Sequence, residues 1–562
     1  MKRIAIFASL SLLFLAACNH MPDHARFIPK DALVVVGVNT KQLGKKIAWN
    51  AIMGSKLLEE MQWEKTGDVI TDPSQIGIEL MSTSYVYMKP DKRFTEGSRI
   101  TALVPLEDEG KWEAFVKKSF PEAVIKEQKG HKDAQLAEGM YAGWNSELLI
   151  IMNTLQLPAQ HAEIVADSTG DTSIVEVAAP VPAVVDLSQL AGEMNNAFST
   201  TKENSLTGNK RFSGLENEAH DITLWMNYDE LMNQYMSGAN MGIPLSNSLW
   251  KNSSMAAGFD FEKGKIAGDI RYYVPDAMEQ VAKDLGSKDA DKEMVERLPG
   301  ENLDMLMAWH LAPKGVKGLL EQTGMLGFVN LALSGEGLSA DYILEAFSGD
   351  MAVSFNDFTM KKELVSDTPC ATSDTAGISI SGDIHYTYAL RINKKENFDR
   401  LLQLAVSTGF LQAGSNGSFL LNNGSMQPAT VAVNSQYCVI SNNEANIKAY
   451  FDGSFKKQAK PADAEVVYGH PFGIYFNAQG MMKAVDPAVA GSGRDSHMLA
   501  ESKKLLRDIH FTGGGFSSSA FNYKMAINFV NPEENSLLQL IEFTMRMNKT
   551  PAEALATGKM AY

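Results

Sequence analysis

Trp144-Asn145-Ser146-Glu147-Leu148-Leu149-Ile150-Ile151-Met152-Asn153 and Val433-Asn434-Ser435-Gln436-Tyr437-Cys438-Val439-Ile440-Ser441-Asn442 carry one local instruction written twice. In each, an Asn-Ser turn separates apolar runs, which signals a β-hairpin. Working outward, Thr101-Ala102-Leu103-Val104-Pro105-Leu106 resembles Tyr388-Ala389-Leu390-Arg391-Ile392-Asn393, with Ala102 set on Ala389. Each is followed by a helix, around Trp112 and Phe398. Pro182 to Asp186 then matches Pro471 to Tyr475, Gly258-Phe259 matches Gly515-Phe516, and Leu33 to Asn39 matches Met305 to Leu311. The order is kept throughout, which predicts an internal duplication. The steps in spacing imply an extra loop at Lys361 to Asp383 in the second copy. They also imply an extra segment within Asn204 to Leu249 of the first, with Trp225 in its main unmatched part. The Pro-Gly turn in Arg297-Leu298-Pro299-Gly300 sets the boundary between lobes at 27–297 and 298–562. Hairpins outnumber strand–helix–strand crossovers. The expected fold is therefore α+β: two tandem, related lobes with largely antiparallel sheets and helices packed on them.

The chain has 562 residues, 45% apolar and 21% charged, with a net charge of −16. This is an ordinary globular composition, which excludes a disordered chain, a collagen and a polytopic membrane protein. The acidic balance argues against nucleic acid as a partner. Three cysteines are too few for a disulfide-built scaffold.

At the N-terminus, Lys2 and Arg3 precede a mostly apolar run from Ile4 to Leu15, the pattern of a signal peptide spanning 1–17. It ends in Leu15-Ala16-Ala17-Cys18, which matches the bacterial lipobox. Cys18 is therefore the expected lipidation site, and 18–26 the tether. Asn19 is not the Asp that retains enteric lipoproteins in the inner membrane. The expected address is the outer membrane, facing the periplasm, with surface exposure left open.

Further motifs follow the lipobox: Phe27-Ile28-Pro29-Lys30-Asp31-Ala32, Gly37-Val38-Asn39, Asp72-Pro73, Ile76-Gly77-Ile78-Glu79-Leu80 and Tyr85-Val86-Tyr87. On these the chain resembles uncharacterised Bacteroidota envelope lipoproteins grouped only as a domain of unknown function. The resemblance implies a cell-envelope lipoprotein and transfers no activity, cofactor or catalytic residue.

No H-E-x-x-H, G-x-S-x-G, Walker or Rossmann pattern occurs. The expected catalytic, metal and cofactor sets are therefore empty. The histidines read as isolated strand or surface residues. Glu107-Asp108-Glu109 reads as a helix start that suits the helix dipole. Gly414 to Ser418 reads as a turn, Gly513-Gly514-Gly515 as a bulge or close backbone approach, and Ser199 to Glu218 as an exposed loop. Trp225, Tyr228, Tyr475 and Phe476 are candidates for sugar stacking, although strand aromatics are more often core. Cys370 and Cys438 leave two arrangements open: a disulfide, or a small buried apolar Cys438.

The leading expectation is a non-enzymatic binding, scaffold or assembly factor of the envelope, with a protein or glycan partner. The alternative is a hydrolase or glycan-processing enzyme whose carboxylates converge only in the fold. A third reading, prompted by the 29 methionines, is a carrier for an apolar ligand.

Overall fold

The computed structural model describes residues 21–46, 73–89, 99–154, 162–166, 172–176, 187–238, 249–365, 377–421, 428–458, 460–489, 491 and 494–548. It is an α+β fold built on antiparallel strands, in two units. Met1–Pro244 with Ser253–Asp260 form one, and Leu245–Asn252 with Phe261–Tyr562 the other. Arg297, where the sequence suggested a boundary, thus lies inside the second unit. The reason is packing: Ala290, Met294, Val295 and Leu298 bury into the same core as Leu306, Ala308 and Ala352.

The first unit contains β1 (Val34–Asn39), β2 (Thr83–Lys89), β3 (Arg99–Pro105), β4 (Lys126–Gln128), β5 (His131–Ala137), β6 (Met140–Trp144) and β7 (Leu148–Thr154). β8 (Ala162–Ala166) and β9 (Thr172–Glu176) form a separate hairpin, and β10 (Ile222–Met226) and β11 (Ser254–Glu262) complete the main sheet. Its order is β11-β10-β1-β2-β3-β7-β6-β5-β4, antiparallel throughout. Helix α1 (Thr40–Lys46) follows β1, and α2 (Glu109–Ser119) follows β3. Asp108 caps α2 by accepting from the Lys111 amide, which places the acidic triplet as expected. The Trp112 face of α2 packs on Ala134, Ala142, Trp144 and Leu149.

The second unit contains β12 (Lys265–Tyr273), β13 (Leu303–His310), β14 (Phe347–Val365), β15 (Gly377–Ile392), β16 (Leu411–Ala413), β17 (Phe419–Leu421), β18 (Ala429–Val433), β19 (Tyr437–Ser441), β20 (Phe472–Phe476), β21 (Leu506–Ser517) and β22 (Ala520–Phe529). Their order is β12-β22-β21-β20-β13-β14-β15-β19-β18-β17-β16, again antiparallel. Helices α3 (Glu279–Leu285), α4 (Pro313–Gln322), α5 (Met325–Ser334) and α6 (Ala340–Ala346) precede β14, and α7 (Lys395–Ser407) follows β15. Phe398 of α7 packs with Ile392, Leu411, Val431 and Cys438, a cluster built like that of Trp112, Leu106 and Leu149.

The strand orders correspond. β13-β14-β15-β19-β18-β17-β16 runs as β1-β2-β3-β7-β6-β5-β4 does, with β20 and β21 beside β13 as β10 and β11 stand beside β1. The two Asn-Ser turns share one geometry. The Asn145 side chain accepts from the amides of Glu147 and Leu148 at 3.0 and 2.9 Å. That of Asn434 accepts from Gln436 and Tyr437 at 2.8 Å each.

Two sequence alignments are corrected by the ladders. Leu103 faces Ile150 and Ala389 faces Val439. With the Asn-Ser turns matched, Leu103 rather than Ala102 corresponds to Ala389. Leu103 and Ala389 are both buried, whereas a one-residue slip would exchange the faces. Pro182 to Asp186 lies outside the described residues. The strand that corresponds to β20 is β10, so Trp225 is matched, by Tyr475, and is not part of an unmatched insertion.

The stretch from Ser199 to Glu218 is also ordered rather than an open loop. It forms short 3₁₀ turns and a helix from Lys210 to Glu216 capped by Asn209. Leu206, Phe212 and Leu215 are buried. Its polar residues act as caps, which a composition reading mistakes for exposure.

Candidate functional site

The alternation of β13 sends Leu306 and Ala308 into the core and leaves Met307 and Trp309 half-buried on the opposite face. β20 alternates likewise, with Tyr475 inward and Phe472, Ile474 and Phe476 on the other side. The ladders align one row across four strands: Trp309 beside Phe472, Phe472 beside Gly513, and Gly513 beside Tyr523. Phe511 packs edge-on to Phe472, with centroids 5.9 Å apart, and stacks on Tyr523 at 5.1 Å.

The glycine run makes room in this aromatic row. The β21–β22 register breaks between Gly513 and Gly515, a bulge, as the sequence suggested. Gly513 and Gly514 take φ of +137° and +84°, values that favour glycine. A Cβ on Gly513 would lie 2.2 Å from the Asn522 carbonyl oxygen, and one on Gly514 would lie 3.4 Å from the Cβ atoms of Phe472 and Pro471. Together these elements wall a cavity of about 460 Å³, lined by Leu285, Met307, Trp309, Leu311, Phe472, Gly514, Phe521 and Tyr523, with His310 and Pro471. Burial pushes the Tyr523 phenol above its usual range. His310 is fixed by its Nδ1, 2.8 Å from Asp350, which also accepts from Ser348 at 2.9 Å and Lys288 at 3.2 Å. Burial opposes ionisation of Asp350, yet these partners hold its carboxyl below the usual range. A carbon-rich wall with few polar groups suits an apolar or aromatic ligand.

A second cavity, in the first unit, measures about 330 Å³ and is more polar. Lys89, Arg99 and Glu193 line it with Phe27, Tyr87 and Met152. Its charges are matched: Arg99 with Glu193, and Lys89 with Asp31 at 3.1 Å.

A polar cluster lies near β10. His220 Nδ1 is 2.8 Å from Asp260, and Lys46 bridges Asp221 at 2.7 Å and Asp260 at 3.3 Å. Glu216 accepts from Tyr85 and from Thr223, each at 2.7 Å. Burial raises the Glu216 pKa despite those bonds. Both of its oxygens are occupied within the protein, which marks a structural network rather than a poised acid.

The residues singled out from sequence do not converge. Cys18 and Cys370 lie outside the described residues. Cys438 is a buried free thiol, pushed up to about 12 by burial. Trp225 and Tyr475 are 1% and 4% exposed, so neither offers a face to a sugar. Tyr228 opens the helix Tyr228–Gly238, and Phe476 lies half-buried at the end of β20. The histidines are less isolated than the sequence suggested. His220, His310, His385 and His510 each sit beside an aspartate, and His131 stacks on Phe198. Among the described residues, no group of three or more His, Cys, Asp or Glu could hold a metal ion. The aromatic cavity carries no motif in the sequence. Its only trace there is the alternation of Met307 with Trp309 and of Phe472 with Ile474, plus the triple glycine.

No protein-family model matches the chain, and no curated protein does. Among solved structures, three crystal forms of TP0453 are similar. Form I is 8% identical, covers 48% of this chain and 80% of its own, and has a TM-score of 0.23. Form IV is 8% identical, covers 46% and 84%, and has a TM-score of 0.25. Form III is 7% identical, covers 48% and 89%, and has a TM-score of 0.24. Likeness at this level carries no argument about fold or role.

Proposed function

We propose that this protein is a non-enzymatic envelope lipoprotein, anchored through Cys18, whose second unit binds an apolar or aromatic group in the cavity between α3, β13, β20 and β22. The cavity carries the reading: a volume of about 460 Å³ lies within the usual range for small-molecule sites. It is walled by Trp309, Phe472, Phe521 and Tyr523 and by Gly514 of the β21 bulge, whose positive φ favours glycine. The lipobox supports the anchor and the outer-membrane address, and the resemblance to Bacteroidota envelope lipoproteins agrees with both. The corresponding strand orders support descent of the two units from one duplicated lobe.

The test is titration of the chain from Asn19 onward with N-phenyl-1-naphthylamine, a neutral apolar fluorophore. The expected result is saturable binding of one probe per chain, weakened at least about tenfold, or ~1.4 kcal/mol, by Met307→Glu with thermal melting retained. Absence of saturable binding, or equal binding by the folded variant, would overturn the cavity's role.

A further inference from the structure

Helix α5, Met325-Leu326-Gly327-Phe328-Val329-Asn330-Leu331-Ala332-Leu333-Ser334, contains no ionisable side chain. A surface helix normally turns a polar stripe to water. α5 does not. Leu326, Val329 and Leu333 are half-buried, while Phe328 and Leu331 are 68% and 72% exposed. They lie three residues apart, on one face. Leu319 of α4 and Leu311, just before that helix, are also exposed large apolar residues. Leu311 also lines the aromatic cavity. Leaving such surface in water is unfavourable, so it marks an interaction site.

We infer that α5 lies in the interfacial zone of a lipid bilayer, with Phe328 and Leu331 in the acyl boundary. Three observations select lipid over protein. First, lipidation at Cys18 would fasten the chain to a bilayer, so an anchored chain works beside one. This point rests on the anchoring reading above. Second, the chain carries a net charge of −16, yet this helix offers no charge for a partner to complement. Third, ten residues span about 15 Å, too short to cross a membrane and suited to lying in its surface. Indeed, no described helix is long and apolar enough to cross one. α4, which precedes α5, supplies Lys314 and Lys317, which reach Asp284 and Asp341. Such lysines can keep their heads in water while their stems cover apolar surface.

The experiment uses the full folded chain from Asn19 onward, which lacks the lipidation site, floated with phosphatidylcholine vesicles. The wild type is expected to float. The double variant F328D/L331D should lose at least about tenfold in partition while keeping its melting curve, because both side chains are exposed. Raising salt to about 0.5 M should leave flotation unchanged, as an uncharged contact requires. Leu331→Trp provides an independent reading: the fluorescence it adds should be quenched by brominated lipid. Failure of the wild type to float overturns the proposal, as does equal flotation by the double variant or a lack of quenching in Leu331→Trp. Sedimentation showing a dimer that the double variant abolishes, without vesicle binding, would overturn it in favour of a second copy of the chain. Lipidation of Cys18 is read separately by acyl labelling of the full-length precursor, so failure of either reading is distinguishable from failure of the other.

Discussion

Gly258→Ala tests the packing of the first unit directly. Gly258 lies on β11, and a Cβ there would fall 2.0 Å from Cδ2 and 2.3 Å from Cγ of His220. No rotamer adjustment of a few tenths of an ångström removes that overlap, so the ring must leave. Leaving breaks its 2.8 Å bond to Asp260. A hydrogen bond to a charged group contributes about 1.5–3 kcal/mol, and overpacking adds about 1–3 kcal/mol. Asp260 is partly exposed and still held by Lys46, so water replaces some of the loss. The expected net cost is about 2–4 kcal/mol. His220→Ala alone should cost about 2 kcal/mol. In that background Gly258→Ala places its methyl in the vacated space and should be nearly neutral. The coupling energy should therefore equal the whole cost of Gly258→Ala, about 2–4 kcal/mol in magnitude, well above the ~0.5 kcal/mol of independent sites. Urea unfolding of the four proteins, followed by tryptophan fluorescence, measures it. Additive single-variant costs would refute the argument that Gly258 exists to seat His220.

Three further outcomes are expected. Asp260, Asp350 and Asp508 are held below the ordinary carboxylate range by histidine and other partners that outweigh burial. Their stabilisation is complete above the unfolded-state value of about 4 and fades as pH falls through the lower folded values. Circular dichroism melts down an acid series should show this loss, and Asp350→Asn should make the dependence shallower; an unchanged slope would remove Asp350 from the account. Cys438, buried beside Phe398 and Val431 with a thiol pushed up to about 12, should resist a thiol reagent in native Cys370→Ala protein and react fully in urea. Rapid native labelling would contradict its burial. Cys18→Ala should abolish acyl labelling and membrane fractionation of the precursor, and continued acylation would disprove the lipobox reading.

The sequence by itself determined features whose causes lie within a few residues. The Asn145 and Asn434 turns are such features, because each asparagine side chain bonds amides two and three positions on. So are the Asp108 cap, the turn at Gly414 to Ser418, and the α+β class that follows from hairpins interleaved with helices. The Gly513–Gly515 bulge was legible for the same reason, since positive φ is a local demand on glycine. Only the tertiary structure decided which strands lie side by side. Ala102 looks like Ala389 in a string of letters, but burial and the β7 and β19 ladders set Leu103 there instead. Pro182 to Asp186 imitates Pro471 to Tyr475, yet β10 pairs with β1 as β20 pairs with β13, because pairing depends on partners far along the chain. The candidate site belongs to this second kind. Trp309, Phe472, Gly513 and Tyr523 come from four strands, and their adjacency is written in hydrogen-bond register rather than in spacing. α5 shows the limit from the other side: its apolar sequence is plain, but a buried helix reads the same, and only the fold leaves Phe328 and Leu331 in water.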